Sequence, residues 1–140
     1  MTNTTFLAPQ LSLKVVAPAV AFYKRAFAAK ELRIFSNDDG SVHVAELTIG
    51  GALFHLHEEM PGSRERSPES LGGTTVLLGV FSPDPDTLMH NALAAGGREL
   101  SPMQDYFYGY RQGIVADPFG YHWMLQKQIP VTTEEMPEKR

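Results

Sequence analysis

The chain repeats one helical pattern in its two halves. Apolar residues recur at i, i+3, i+4, i+7 and i+8 from Ala19 to Phe27, and the same spacing returns 66 residues later from Pro85 to Leu93. Such spacing places a single apolar stripe on a helix. The helix ends are also alike, with Ala-Phe-Ala-Ala in the first half and Ala-Leu-Ala-Ala in the second. The repeat indicates an internal duplication with a period near half the chain.

Strand patterns surround the two helices in the same order. Period-two alternation, or a short apolar run bounded by turn residues, predicts a strand. The predicted strands are Leu11–Val15, Leu32–Phe35, Val42–Glu46 and Phe54–His57 in the first half, and Val76–Phe81, Glu99–Ser101, Tyr108–Ala116 and His122–Gln126 in the second. Each half therefore predicts one β-α-β-β-β module, at about residues 6–59 and 74–128. Together they predict an α+β fold in a single domain over residues 1–130.

Short local signals place the ends of these elements. Asn37–Gly40 and Asp117–Gly120 predict hairpin turns. Ser82, followed by Pro83, is typical of a helix start and predicts the N-cap of the second helix. Residues 60–73 are rich in Pro, Gly, Ser and charge, so they predict a mobile loop, either a plain linker or a lid over a pocket.

Composition excludes several classes of protein. The chain has no Cys, which excludes disulfides, zinc–thiolate sites and Cys nucleophiles and favours a cytoplasmic location. The net charge is −4 and no long basic cluster occurs, so we expect no nucleic-acid partner. No apolar run approaches the roughly 20 residues that span a bilayer, so we expect no membrane partner. Residues 131–140 are acidic and predict a C-terminal tail.

Alternation along the strands predicts which side chains point away from the helices. Phe54 and Leu56 are apolar and should pack on the first helix, so His55 and His57 should lie on the opposite face. The same reasoning for the other strands assigns further residues to this cleft side, namely Ala8, Gln10, Ser12, Lys14, Leu77, Gly79, Phe81, His122, Met124 and Gln126. These residues form the predicted lining of a ligand cleft.

The run from Asp105 to Leu125 resembles the closing hairpin of the glyoxalase/bleomycin-resistance superfamily, the vicinal-oxygen-chelate proteins. It is most similar to the PhnB-like branch, whose members carry a run like D-x-F-x-G-D-R-x-G-x-x-x-D-P-F-G-x-x-W. The chain departs from that run at Tyr110, where the branch usually has Asp. The resemblance covers about Phe6 to Gln128. It implies two β-α-β-β-β modules that curve into an incomplete barrel around one cleft, and it implies a homodimer.

The resemblance also implies where a metal would bind. Metal-using members take His, Gln or Glu ligands from the first and fourth strands of each module, and those positions correspond here to Ala8, His55, Leu77 and Met124. Only His55 suits the Mn, Fe, Ni or Zn ions of this superfamily. Met124 would offer a soft thioether, and a catalytic site wants at least three protein ligands. We therefore predict no metal and no cofactor.

Three functions remain open at this point. The first is a metal-independent protein that binds a small organic molecule, as the bleomycin-resistance proteins do, for resistance or sequestration. The second is a lyase, isomerase or dioxygenase for a vicinal-oxygen substrate, with a metal at a non-standard site drawn from Glu46, His55, His57 and His122. The third is a non-catalytic module whose dimer surface matters. The predicted ligand-binding residues are Gln10, His55, His57, Phe81, Tyr108, Arg111, His122 and Met124.

Two features near the closing hairpin have alternative interpretations. Arg111 is suited to clamp a carboxylate or phosphate on a ligand, because its guanidinium matches planar oxyanions. It is also suited to pair with Asp105 or Asp117 and hold the hairpin, which is the interpretation we favour. The aromatic run from Tyr106 to Tyr110 predicts either stacking on a flat ligand or a role in the core and its rim.

Overall fold

The computed structural model describes residues 4–132, and the chain divides after Gly73 into two compact units. The first unit contains β1 (Gln10–Leu13), α1 (Ala17–Phe27), β2 (Lys30–Ser36), β3 (Val42–Ile49), β4 (Ala52–Glu58) and α2 (Pro68–Leu71). The second contains β5 (Leu77–Phe81), α3 (Pro85–Ala94), β6 (Arg98–Tyr106), β7 (Tyr110–Ala116) and β8 (His122–Gln128). Each unit carries one β-α-β-β-β module, which confirms the predicted α+β fold and its repeat.

Each unit holds one open, mixed sheet of four strands. The strand order is β1-β4-β3-β2 in the first unit and β5-β8-β7-β6 in the second. The first and last strands of each module pair in parallel, and the remaining pairs are antiparallel. The identical order in both units places equivalent strands at equivalent positions in the two sheets.

In the first unit, α1 covers one face of the sheet. Phe22 and Tyr23 on this helix are almost completely buried, and the Tyr23 ring meets the edge of Phe54 at 5.7 Å between centroids. Leu47 and Leu56 on β3 and β4 are also fully buried. Burial of each large apolar side chain contributes about 1.5–3 kcal/mol, so this stripe stabilises the unit.

In the second unit, α3 packs against β6, β7 and β8. Met89 of α3 and Trp123 and Leu125 of β8 are buried in this layer. Gly113 makes room for it, because a Cβ there would lie 3.0 Å from the Met89 methyl group. Among residues 4–132, no helix has both the length and the apolar character needed to cross a membrane.

The start of α3 differs from the prediction. Its N-cap is Asp84, whose carboxylate accepts the backbone N–H of Thr87 at 3.2 Å, so the assignment of Ser82 as cap was wrong. Both Ser82 and Asp84 precede a proline and carry the same local signal. Ser82 instead accepts the N–H of Asp84 in a turn just before the helix.

The hairpin between β6 and β7 also begins and ends elsewhere than predicted. β6 runs on to Tyr106, well beyond the predicted end at Ser101, and β7 begins at Tyr110, so Tyr108 lies in the turn. Pro102 hid the continuation, because proline cannot donate to a strand ladder. The edge position of β6 tolerates it, with register shifts on either side of Ser101.

The predicted loop 60–73 contains an ordered anchor. The short helix α2 is capped by Ser67, which is fully buried. The carboxylate of Glu59 accepts hydrogen bonds from the Ser67 N–H and the Ser70 hydroxyl, and it pairs with Arg66 at 2.6 Å. Composition predicted a loop here but did not reveal the helix.

Candidate functional site

The open face of each sheet, opposite its helix, carries most of the predicted site residues. In β4, Phe54 and Leu56 are buried against α1, whereas His55 and His57 lie on the other face and are half-buried. In β8, Trp123 and Leu125 are buried, and the residues that alternate with them are His122, Met124 and Gln126. The predicted sidedness of both strands is therefore confirmed.

In the first unit, the parallel pairing of β1 with β4 brings polar side chains into rows. Gln10 pairs with His55, and Ser12 pairs with His57. The two imidazole rings stack, with 5.7 Å between centroids and 10° between planes. Three of the predicted residues, Gln10, His55 and His57, thus share one patch of surface.

A carboxylate completes this patch from the neighbouring strand. Glu46 pairs with His55 across β3 and β4, and its Oε2 lies 3.9 Å from His55 Nε2. Both Glu46 oxygens also accept hydrogen bonds from Arg33 at 3.0 Å, and these bonds are the main cause that lowers the pKa of Glu46. Arg33 was not predicted here, because it is 13 residues away in sequence and only strand pairing brings it close.

His57 differs from His55 in its environment. Its Nε2 is buried and has no hydrogen-bond partner, the one such side-chain atom among residues 4–132. Burial lowers the pKa of His57, with smaller contributions from His55 and His43. The ring is therefore neutral near pH 7, with one nitrogen that donates and one that accepts.

In the second unit, the open face carries a buried chain of amides. The hydroxyl of Tyr108 donates to Gln112 Oε1 at 2.6 Å, and Gln112 Nε2 donates to Gln126 Oε1 at 2.8 Å. Both glutamines are buried, and Gly79 on β5 leaves room for Gln126, since a Cβ at that position would lie 2.9 Å from Gln126 Nε2. Gln112 was missed from sequence, although its alternation within the predicted strand 108–116 was a usable signal.

Aromatic rings cover this amide chain. The rings of Tyr106 and Tyr108 stack at 5.3 Å, and Phe81 meets the edge of Tyr110 at 6.1 Å. Beside them lies a cavity of about 270 Å³, which is lined by Ser101, Tyr106, Gln112, Gly113, Ile114 and Met124. The second unit thus combines aromatic and aliphatic walls with a few fixed amide and hydroxyl groups.

Arg111 does not join the other predicted site residues. It pairs with Lys127 across β7 and β8 and lies on the face that carries α3. Its guanidinium forms two hydrogen bonds to Asp86, at 2.9 and 2.7 Å, and one to Asp105 at 2.9 Å, which together raise its pKa. The pairing with Asp105 was predicted, whereas Asp86 was missed because helix and hairpin are distant in sequence.

The alternative partner, Asp117, has a different role. Its carboxylate accepts the backbone N–H groups of Phe119 and Tyr121 and the indole N–H of Trp123, each at 2.9 Å. Asp117 therefore closes the predicted Asp-Pro-Phe-Gly turn and ties it to the core. Of the two alternatives considered from the sequence, Asp105 is therefore the one that pairs with Arg111.

The donor groups of these faces do not fit a divalent metal. Within the described part of the chain, no three or more His, Cys, Asp or Glu side chains are grouped so that they could hold an ion. Glu46, the carboxylate nearest His55, is already paired with Arg33. In the second sheet, Leu77 pairs with His122 and Gly79 pairs with Met124. Leu77 and Gly79 have no side-chain atom that could bind a metal.

Comparison with known proteins identifies the family. The model of the Glyoxalase/Bleomycin resistance protein/Dioxygenase superfamily matches residues 10–125. The chain belongs to this superfamily. It is 38% identical to an uncharacterized protein of Mycobacterium bovis, over 88% of this chain and 83% of that one. It is equally similar to an uncharacterized protein of Mycobacterium tuberculosis, of which the match covers 74%.

Solved structures show the same fold. TioX from Micromonospora sp. ML1 matches 92% of this chain and 100% of its own, with 24% identity and a TM-score of 0.68. A glyoxalase/bleomycin resistance protein/dioxygenase family enzyme from Burkholderia phytofirmans PsJN matches 89% and 100%, with 16% identity and a TM-score of 0.69. At these identities the likeness concerns the fold alone.

Proposed function

We propose that this superfamily member binds a small organic molecule without a metal, as a capturing protein for resistance or sequestration. The observation that carries the proposal is the 270 Å³ cavity on the open face of the second sheet. Tyr106, Ile114 and Met124 give it apolar walls, and Ser101 and Gln112 give it fixed polar groups. Ligand pockets are commonly apolar with a few placed hydrogen-bonding groups, as this lining is. Their usual volume begins at roughly 300 Å³, so this cavity of about 270 Å³ suits a small ligand.

The size and lining suggest how a ligand would be held. The volume suits one flat ring system or part of a larger molecule. Tyr106, already stacked on Tyr108, offers a rigid aromatic surface for that ring. Gln112 is held from both sides by Tyr108 and Gln126, so its amide loses little conformational freedom when a ligand binds.

A binding experiment tests this proposal. A thermal-shift screen of planar, polycyclic and peptide antibiotics should find compounds that raise Tm, and calorimetry should then give their affinity. Tyr106→Leu should weaken binding of such a compound about tenfold, because stacking between aromatic groups contributes about 0.5–1.5 kcal/mol beyond burial. The control is Phe6→Leu, which removes an exposed aromatic ring of the first unit and should leave the affinity unchanged.

Two results would contradict the proposal. One is a screen in which no compound raises Tm. The other is a stoichiometric transition metal in protein purified without chelator that is lost in His55→Ala, because that would favour the metal-dependent enzyme instead. Membership of the PhnB-like branch, a homodimer and a cytoplasmic location remain predictions that accompany this proposal.

A further inference from the structure

The first unit contains a cavity of different chemistry. It has a volume of about 310 Å³ and lies where residues 63–65 come beside β1 and β4. Every residue that lines it is polar or charged, including Gln10, Ser12 and His57. Hydrogen-bonding side chains thus surround this cavity, whereas the cavity of the second unit has mainly aromatic and aliphatic walls.

The loop wall of this cavity is tied in place. Ser63 forms a tight turn with Met60, through its backbone N–H and its hydroxyl. Beyond the turn, the carboxylate of Glu59 holds the N–H of Ser67, so the segment between them is closed at its base. The polar groups of residues 63–65 are therefore presented to the cavity by an anchored loop.

His57 supplies an uncommitted hydrogen-bonding group to the lining. Its Nε2 has no partner among residues 4–132. This atom has almost no exposed surface, so a ligand reaches it only if the imidazole ring turns, and such a ligand breaks no existing hydrogen bond of this nitrogen. An unsatisfied buried nitrogen is costly, so a partner that arrives with a ligand stabilises the bound state by more than an ordinary surface contact would.

The charges of the lining select among polar ligands. The lining contains two carboxylates, Glu58 and Glu65, and one cation, Arg64, so its formal charge is −1. The carboxylate of Glu58 is already engaged by Asn37 at 3.0 Å and by His43 at 3.2 Å. Arg64 is itself paired with Glu65 at 3.3 Å. Such a lining disfavours an anionic ligand, which would meet uncompensated negative charge, and it favours groups that donate hydrogen bonds to carboxylates.

We propose that this cavity is a second binding site, for a small neutral or cationic molecule rich in hydroxyl and amino groups, of the sugar or amino-sugar class. It uses residues of the first unit only and goes beyond the function proposed for the second unit. Gln10, Ser12 and Ser63 match the many hydroxyl groups of such a ligand. Glu65, whose side chain is 75% exposed, matches an ammonium group, and His57 accepts or donates one further hydrogen bond.

Three sugars that have the same kind of ring but differ in charge can be used to test the site. We would titrate the protein with D-glucosamine, D-glucose and D-glucuronate and follow the imidazole protons of His57 and the amide protons of Ser63 and Glu65 by NMR. Glucosamine should shift these signals at the lowest concentration, glucose should follow, and glucuronate should bind at least tenfold more weakly than glucosamine. In Glu65→Gln, the preference for glucosamine over glucuronate should shrink.

Two variants separate binding from folding. His57→Phe keeps the ring and removes the unpartnered nitrogen, so it should fold at least as stably as the wild type while its glucosamine affinity falls about tenfold. His90→Phe changes an exposed histidine of α3 and should leave the titration unchanged. The inference is overturned if none of the sugars shifts the signals, if glucuronate binds most tightly, or if a well-folded His57→Phe retains full affinity. A failed antibiotic screen leaves this result intact.

Discussion

At the scale of single residues, a few buried polar groups with several hydrogen-bond partners contribute strongly to the stability of the fold. Asp117 accepts three hydrogen bonds in the turn before β8, and Gln112 connects Tyr108 to Gln126. Each is buried, so a lost partner leaves a donor or acceptor that water reaches poorly. His57 is the opposite case, a buried nitrogen with no partner among the described residues.

Replacement of Asp117 should destabilise the protein strongly. Asp117→Ala leaves two backbone N–H groups and the Trp123 indole N–H without their acceptor. We expect the free energy of unfolding to fall by about 2–4 kcal/mol. Urea denaturation, monitored by the fluorescence of this single tryptophan, measures the change.

A second variant isolates the indole contact. In the Trp123→Phe background, which circular dichroism can follow, Asp117→Ala should cost less than in the wild type, because one of the three donors is already gone. Equal costs in both backgrounds would show that the indole bond adds nothing to stability.

At the scale of elements, more than one residue can carry the local signal for the same helix boundary. Contacts in the folded protein then determine which residue forms that boundary. Ser82 and Asp84 both read as caps, and only Asp84 lies where it reaches Thr87 in the first turn of α3. The short helix α2 is too small to be stable alone. The carboxylate of Glu59 holds it in place. Glu59 lies outside residues 60–73, so the sequence of that segment does not indicate this contact.

The anchor of α2 should depend on pH. Hydrogen bonds from Ser67, and then those from Arg66 and Ser70, lower the pKa of Glu59 from 4.5 to about 2 in the folded protein. A lowered folded pKa contributes stability that is full above the unfolded value and is lost as pH falls from about 4.5 toward 2. Glu59→Gln should therefore be less stable than the wild type at neutral pH, with the gap closing through this window.

Urea midpoints measured across the acidic range for both proteins give this comparison. The control is Glu69→Gln, which removes an exposed carboxylate from α2 itself. It should show no comparable closing of the gap. A Glu59→Gln gap that stays constant with pH would mean that the charge of Glu59 is irrelevant to the anchor.

The strand β5 should be sensitive at Gly79. Its φ is not in the left-handed region, so the reason for glycine is space: a Cβ would lie 2.9 Å from Gln126 Nε2. Gly79→Ala should displace the Gln126 amide, weaken its bond to Gln112 and cost about 1 kcal/mol, because only the end of one side chain has to move. Gly73→Ala, where no atom lies within 4 Å of the added Cβ, is the matched control and should be close to neutral. Thermal unfolding of the two variants distinguishes them.

At the scale of the whole molecule, two repeats of one module carry different side chains on equivalent faces. The open face of the first sheet has histidines, a glutamate–arginine pair and a polar cavity. The open face of the second has an aromatic cluster and an amide chain. The two units thus share one backbone arrangement and differ in the chemistry of their open faces.

The purified protein should bind no transition metal in stoichiometric amount. The superfamily positions offer one imidazole, and the described residues contain no group of three or more His, Cys, Asp or Glu that fits an ion. Elemental analysis should give well under one equivalent of Mn, Fe, Ni or Zn, and a chelator should leave Tm unchanged. A chelator-sensitive Tm that His55→Ala abolishes would contradict this expectation.

The sequence by itself determined the two modules, the order of their elements along the chain and the face on which the residues of β4 and β8 lie. Those properties follow from the local periods of 2 and 3.6, which any short window reveals. Only the tertiary structure decided which groups meet: Arg33 with Glu46, Arg111 with Asp86, and Gln112 with Gln126. These partners are 13, 25 and 14 residues apart, and strand register or helix docking brings them together. Local sequence patterns therefore predicted the two modules, whereas the pairs of polar side chains could be identified only in the folded structure.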